Sequence, residues 1–286
     1  MNSKKIVPFV VGVDGLIGSA LWQEFRTVCP EASGTSRNGT DRLPYLDIAN
    51  PDIECLNLRG FTHAIIAGAN PNIRQCELDP NRTNACNLIG TLELARQFAA
   101  KGIQPILFST DYVFDGVRGG YREDDPLSPL NQYGLQKAEL EKKIPEAASG
   151  SYLMIRLGKV VPQKGGILGE MADKLRQNLQ VFAAADQIFS PISLEDVVKG
   201  VSALMHSRAN GIFNLGGPEV WSRYDLALAI ARRLRADPAL VERISLDDLN
   251  EPFKRPKTTD LVSLKFQQVT GLQKRRKLSL IIEELF

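Results

Sequence analysis

The chain has 286 residues, of which 43% are hydrophobic and 24% charged, with a formal net charge of +2. That length buries a large core in one or two lobes, and the composition is that of an ordinary soluble globular protein. The near-neutral balance speaks against a nucleic-acid partner, and no apolar run approaches the ~20 residues of a membrane span.

The four cysteines, Cys29, Cys55, Cys76 and Cys86, contain no CxxC pair. This argues against a disulfide framework and a zinc site, and for a reducing, cytoplasmic setting. His63 and His206 are the only histidines and neither has a ligand-like neighbour, so no metal site and no His-based catalysis are expected. The basic start of the chain runs directly into a strand and a glycine turn, which leaves no place for a signal peptide. One dense basic run, Lys274-Arg275-Arg276-Lys277, lacks interleaved aromatics and reads as a solvated helix entry.

In chain order, Ile6 to Val11 is a nearly continuous apolar run, as in a strand buried on both faces of a parallel sheet. Pro8 is awkward there, because it lacks a ladder donor. Gly12, Gly15 and Gly18 follow at three-residue intervals and open a helix over Leu16 to Val28. Strand, glycine turn and helix together make a pyrophosphate cradle, with Gly12, Gly15, Leu16, Ile17 and Gly18 as cofactor residues. Asp14 in this turn is expected to aim its carboxylate at backbone donors. A second strand ends near Ser36 and Arg37, where a small hydroxyl and a guanidinium suit a ribose 2′-phosphate and therefore NADP(H), with NAD(H) possible.

Thr62 to Ala67 is predicted as the next buried strand, and Ala67, Gly68 and Ala69 as a loop that passes close to the cofactor, with Asn70 on the substrate side. Pro80 to Ala100 reads as one long amphipathic helix, and Ile103 to Ser109 as a central strand. Ser128 with Pro129 is the expected N-cap and first-turn pair of the following helix, which should begin just before Asn131, hold Tyr133 in its first turn and carry Tyr133 and Lys137 on one face. A phenol beside an ammonium can exchange a proton near neutrality, and Thr110 or Ser109 can bond the same substrate oxygen. Ser151 to Arg156 supplies another strand. Strands alternating with helices predict an α/β, Rossmann-type, doubly wound parallel sheet over residues 1–157. Residues 158–286 are expected to form mainly a small interleaved α/β substrate lobe, with segments near 188–215 returning to the sheet.

The segments STDYVFDG at 109–116 and SPLNQYGLQK at 128–137, together with the GxxGxxG turn, resemble the extended short-chain dehydrogenase/reductases, or NAD-dependent epimerase/dehydratase superfamily. More narrowly they resemble the dTDP-4-dehydrorhamnose reductases, whose RPxxxxLxSxK signature is matched by Arg255 to Lys265. The resemblance implies hydride transfer from NADPH to a keto group of a nucleotide-linked sugar. Tyr133 would donate the proton, Lys137 would hold the nicotinamide ribose and lower the phenol, and Thr110 would orient the carbonyl. Asp47 and Ile48 would bracket the adenine, Ser109 would lie by the cofactor, and Asn87 would hold backbone geometry. Asp111, Tyr112, Phe114, Asn131, Lys159, Gln187 and Arg255 would line the sugar pocket.

In the same frame Tyr112 stands where sugar dehydratases carry a glutamate, which disfavours elimination, and a phosphate-reading Arg37 disfavours an epimerase that retains NAD. The family suggests a homodimer. One departure is Lys159, which replaces an aromatic that holds the deoxysugar and points to an anionic or more hydroxylated substrate. The competing expectation is a non-catalytic regulatory subunit like the β subunit of methionine adenosyltransferase, which resembles the same reductases.

Overall fold

The computed structural model describes residues 5–40 and 43–286; the basic start ahead of Lys5, and residues 41 and 42, lie outside the described residues. Five parallel strands come from residues 8–157: β1 (Pro8–Val11), β2 (Ser33–Thr35), β3 (His63–Ile66), β4 (Gln104–Thr110) and β5 (Leu153–Leu157). Gly211–Leu215 adds a sixth beside β5, so the order across the sheet runs from that strand through β5, β4, β3 and β1 to β2. Successive residues of β1 feed opposite faces, Val10 into one core and Phe9 and Val11 into the other. Both faces are covered, which is why the strand sequence is apolar without alternation. Pro8 is the first residue of β1, where a missing donor is tolerated.

On one face lies α1 (Leu16–Val28), and on the other a helical stretch that departs from expectation. After α2 (Ile73–Leu78) and α3 (Pro80–Asn84), residues Ala85–Gly90 form a π-helical segment before α4 (Thr91–Ala100). The expected single helix is thus continuous but locally widened. Its last residue is closely packed: a Cβ on Gly90 would stand 1.6 Å from the Ile48 carbonyl oxygen. The widened turn brings Asn87 against the loop after β3, where its Oδ1 accepts from the Asn70 N–H at 2.7 Å and its Nδ2 donates to the Asn70 carbonyl at 2.9 Å.

The helix α5 (Gln132–Ala147) starts later than Ser128 and Pro129 predict. Its N-cap is Asn131, in extended backbone, with Oδ1 accepting from the Gly134 N–H at 2.9 Å. Asn caps as well as Ser does, and the Ser128 N–H is engaged instead by the Val113 carbonyl. Tyr133 still falls in the first turn.

Past β5 the chain alternates between the sheet and a smaller layer. β6 (Val160–Val161), α6 (Gly166–Arg176), β7 (Val181–Ala184), β8 (Ile188–Phe189) and β9 (Ile192–Ser193) precede α7 (Leu194–His206), which packs on α1. The edge strand Gly211–Leu215 is β10; β11 (Trp221–Ser222), α8 (Arg223–Leu234), β12 (Val241–Ile244), α9 (Leu264–Thr270) and α10 (Leu278–Leu285) complete the chain. Helices α6, α8 and α10 bury Met171, Leu226, Ile230 and Ile281 in a core of their own with β7 and β12. The basic run does precede α10, but Arg275 and Arg276 are half-buried, and Arg276 is tied to Glu195 and Glu284 rather than freely solvated. His63 is half-buried and pushed down to about 4 by burial, hence neutral. Among the described residues no helix is long and apolar enough to cross a membrane.

A buried ion pair clamps α5 to the sheet. Arg156 on β5 meets Glu141 on α5 at 2.7 Å, with side chains 2% and 1% exposed, and the guanidinium also lies 5.0 Å over the Phe114 ring. The Ser109 hydroxyl donates to the same carboxylate. Removing one partner strands a buried charge, so Glu141→Leu is expected to cost roughly 3–5 kcal/mol in urea denaturation, with part recovered in the Glu141→Leu/Arg156→Met double variant. A single-variant loss below ~1 kcal/mol would show that the pair does not hold the helix.

Candidate active site

At the C-terminal end of β1, the Gly12 N–H and the Val13 N–H both donate to the Thr35 carbonyl, at 3.2 and 3.1 Å. Gly12 has φ +85°, and a Cβ there would press to 2.9 Å from the Gly68 nitrogen. The two loops can touch because Gly12 lacks a side chain, while the bare Gly68 leaves room for Ile48. Gly15 is the N-cap of α1 and provides no side-chain acceptor, so the leading N–H groups of the helix are free for an anion. These features fit the pyrophosphate of a dinucleotide. Leu16 is exposed, Ile17 half-buried, and a Cβ on Gly18 would clash with the Gly12 carbonyl oxygen at 2.1 Å, so Gly18 serves helix–strand packing.

Asp14 does aim at donors at the end of β2: its carboxylate accepts from the Ser36 hydroxyl at 2.9 Å and from the Arg37 N–H at 2.7 Å. Ser36 is therefore committed to Asp14 and holds the turn, whereas the Arg37 side chain is exposed. Ile48 is buried with its Cδ1 against Gly68, and Asp47 beside it is exposed. In the loop after β3, Ala67 and Gly68 are half-buried and Ala69 is exposed. The Asn70 side chain is held within that loop, donating to Gln75 at 2.8 Å and accepting from the Asn72 N–H at 3.1 Å.

The reactive groups gather at the end of β4. Strand alternation separates the two candidate hydroxyls: Ser109 turns to Glu141, while Thr110 turns to the cleft and interacts with the Tyr133 phenol. Thr110 donates to Asp111 Oδ1 at 3.0 Å and accepts from the Tyr112 N–H at 3.2 Å. Lys137, one turn beyond Tyr133, donates to the Phe108 carbonyl at 3.0 Å. Burial is the main influence on all three ionisable groups. It holds the Tyr133 phenol above its ordinary range, reinforced by the Asp111 charge, while the Thr110 hydrogen bond pulls weakly the other way. It also lowers the Lys137 amine to about 8 and raises Asp111 to about 6. The expected lowering of the phenol by Lys137 is thus overridden by desolvation.

Two residues expected in the sugar pocket are placed elsewhere. Phe114 is fully buried and stacked on Tyr121, ring centroids 4.2 Å apart, so it backs the wall of the cleft without facing it. Asn131 is 3% exposed and spends its amide on the α5 cap and on the Lys254 carbonyl at 3.1 Å. Tyr112 is half-buried, and its hydroxyl accepts from Gln187 Nε2 at 3.4 Å and interacts with Arg255.

The C-terminal signature is a strap across the site. The Thr258 N–H donates to the Gly116 carbonyl at 2.9 Å, the Ile188 N–H to the Lys257 carbonyl at 2.6 Å, and the Thr259 N–H to the Ile188 carbonyl at 2.8 Å. This delivers the Thr259 hydroxyl to Asp111 Oδ2 at 2.7 Å. Sequence reasoning missed Thr259 and also Arg223, the first residue of α8, whose charge acts on Tyr112. Thr259 lies inside the matched signature, but only the strap's pairing shows what it touches.

Asp111 also supplies a pH test. A carboxyl raised to about 6 binds its proton more tightly in the folded chain than in the unfolded one. Its contribution is therefore present below the ordinary carboxylate range and is lost as pH rises through about 6, by up to about 3 kcal/mol. Compared with Asp111→Asn in urea denaturation, the wild type is expected to lose ground between about pH 4 and about pH 7; a difference flat across that window would refute the shift.

Comparison with known proteins identifies the family. A family model described as the RmlD substrate binding domain matches residues 6–285. The dTDP-4-dehydrorhamnose reductase of Aggregatibacter actinomycetemcomitans is 29% identical over 243 residues, covering 80% of this chain and 82% of that protein. The methionine adenosyltransferase 2 subunit beta of Pongo abelii is 31% identical over 243 residues, covering 78% of this chain and 70% of that protein. Among solved structures, dTDP-4-dehydrorhamnose reductase from Bacillus anthracis in complex with NADP superposes with a TM-score of 0.85 at 21% identity, over 99% of each chain. By the extent of the family match and the fold it shares, the chain belongs to the RmlD substrate binding domain family, within the extended short-chain dehydrogenase/reductases.

Proposed function

We propose that the chain is an NADPH-dependent reductase of a keto group on a nucleotide-linked sugar. The observation that carries this is the Tyr133 phenol: half-buried, kept protonated by desolvation, in contact with the Thr110 hydroxyl and one helical turn from Lys137. A reductase needs a proton donor beside the carbonyl oxygen, and a phenol held above its ordinary range is in the donor form at neutral pH. A bound nicotinamide supplies the hydride. The chain's own residues do the rest: Tyr133 passes its proton to the developing alkoxide, Thr110 fixes the direction of that oxygen, and Lys137 bonds the ribose hydroxyls. Helix α5 is clamped by Glu141 and Arg156, so the phenol and the amine keep a fixed separation.

The exposed guanidinium of Arg37, at the end of β2, supports a 2′-phosphate and hence NADPH over NADH. The complex of the Bacillus anthracis reductase with NADP is in keeping with that choice. A second reading, a regulatory subunit without turnover, is favoured by the likeness to methionine adenosyltransferase subunits beta. It would show as cofactor binding without NADPH consumption on any keto-sugar nucleotide, together with a stable protein partner.

In single-turnover and steady-state assays with a panel of keto-sugar nucleotides, Tyr133→Phe is expected to lower kcat by about 10²–10⁴-fold while NADPH affinity stays near wild type. Equal turnover by the variant would remove Tyr133 from the chemistry. In fluorescence titration, Arg37→Ala is expected to weaken NADPH by about tenfold and leave NADH unchanged. A wild type that binds neither nucleotide would end the reductase reading.

A further inference from the structure

Three cationic side chains gather about Tyr112 and its neighbour Asp111, Arg223 and Arg255 acting on the phenol and Lys159 on the carboxyl, and only one has a directly bonded anionic partner. Arg255 is paired with Glu251 through two hydrogen bonds. Lys159 and Arg223 have no side-chain hydrogen bond or ion pair among the described residues. Backbone pairing fixes where each stands. Lys159 precedes β6 and its carbonyl accepts from the Ile192 N–H at 2.9 Å; Arg223 follows β11 and its N–H donates to the Gln187 carbonyl at 3.1 Å. Burial and then the Arg223 charge weaken the hold of Lys159 on its proton, burial and the Arg255 charge do the same for Arg223, and Glu170 on α6 is felt by both without a hydrogen bond or ion pair to either. Two like charges held near each other with no directly bonded counterion are costly, and an arriving anion relieves that cost.

A second feature points to a ligand at the same place. Gln187 is 9% exposed and its Nε2 donates to the Tyr112 hydroxyl, but its Oε1 is buried with no partner. A buried orphan acceptor calls for a donor such as a sugar hydroxyl.

The position decides which part of a ligand the cations meet. The charge of Lys159 reaches Asp111, which adjoins Thr110 and Tyr133, so this amine belongs to the reacting end of the cleft. In a nucleotide-linked 4-keto sugar the diphosphate leaves from the anomeric carbon, across the ring from the ketone. A cation beside the ketone therefore faces ring substituents. We infer that Lys159 and Arg223 form an anion subsite for the sugar ring, and that the substrate is a nucleotide sugar bearing a ring carboxylate, of the uronic-acid type. This rests on the reductase reading above and narrows its substrate class.

The test is equilibrium binding, by calorimetry, of UDP-glucuronate, UDP-glucose and UDP, and of the matching thymidine compounds, to the wild-type full chain, Lys159→Met and Arg223→Met. None of these ligands has a ketone, so binding is read without turnover. In whichever series binds, the glucuronate is expected to bind about tenfold more tightly than the glucose compound. Each variant should lose most of that ratio while its affinity for the nucleoside diphosphate and its melting temperature hold. Equal affinity for the two sugars overturns the inference, as does failure of every compound to bind. So does a parallel loss of nucleoside diphosphate affinity in the variants, which would assign the cations to the diphosphate. NADPH consumption on keto-sugar nucleotides is scored separately: its absence would sink the reductase reading, while the binding ratio would still decide the subsite.

Discussion

A buried carboxylate, Asp111, sits where the central strand meets the cleft, and the site is assembled around the need to satisfy it. Removing such a group from water is unfavourable unless its oxygens are hydrogen-bonded. One oxygen accepts from Thr110, its neighbour in sequence, and the other from Thr259, 148 positions away. That second bond requires the C-terminal strap to lie across the loop after β4. The strap is held in turn by Gly116, where a Cβ would stand 2.4 Å from Pro256, and by the Ser190 hydroxyl, which accepts from the Leu261 N–H at 3.1 Å. Strand β4 and the C-terminal strap are thereby joined through the side chains of Thr110, Asp111 and Thr259.

The signature residues beyond the site continue this stitching. Ser263 accepts from the Gly216 N–H at 3.0 Å, and Lys265 donates to the Ile212 carbonyl at 2.7 Å with its amine 4.4 Å from the centre of the Phe213 ring. Both anchor the strap to the edge strand β10. Read this way, RPxxxxLxSxK is a sequence of attachment points: Arg255 at Tyr112, Leu261 at Ser190, Ser263 and Lys265 at the sheet. The same desolvation that makes Asp111 demanding also tunes the chemistry, since it keeps the Tyr133 phenol protonated and brings the Lys137 amine down to about 8.

Helix α5 and the π-helical segment show how positioning depends on groups outside the cleft. Asn87 bridges the Asn70 loop to Gln136 on α5 at 2.8 Å, one residue before Lys137, so the loop after β3 and helix α5 share a fixed point. From the other side, Glu141 ties α5 to β5 through Arg156 and to β4 through Ser109. Tyr133 and Lys137 are held from both ends of the helix's inner face.

Local pattern by itself determined the parallel sheet, the glycine turn and the Tyr133–Lys137 face. Each is written within a few residues: apolar runs, glycines at fixed spacing, and side chains one helical turn apart. What tertiary structure decided lies at long separation or turns on burial. Thr259 reaches Asp111 and Arg223 reaches Tyr112 only through strand pairing between distant segments. Phe114 and Asn131 lie within or beside the motif yet were drawn into core and cap, because a side chain's direction follows from backbone conformation that the residue type alone leaves open. The phenol's protonation was likewise out of reach of spacing: Lys137 stands where its neighbour predicts, but the degree of desolvation around both groups is a property of the packed molecule.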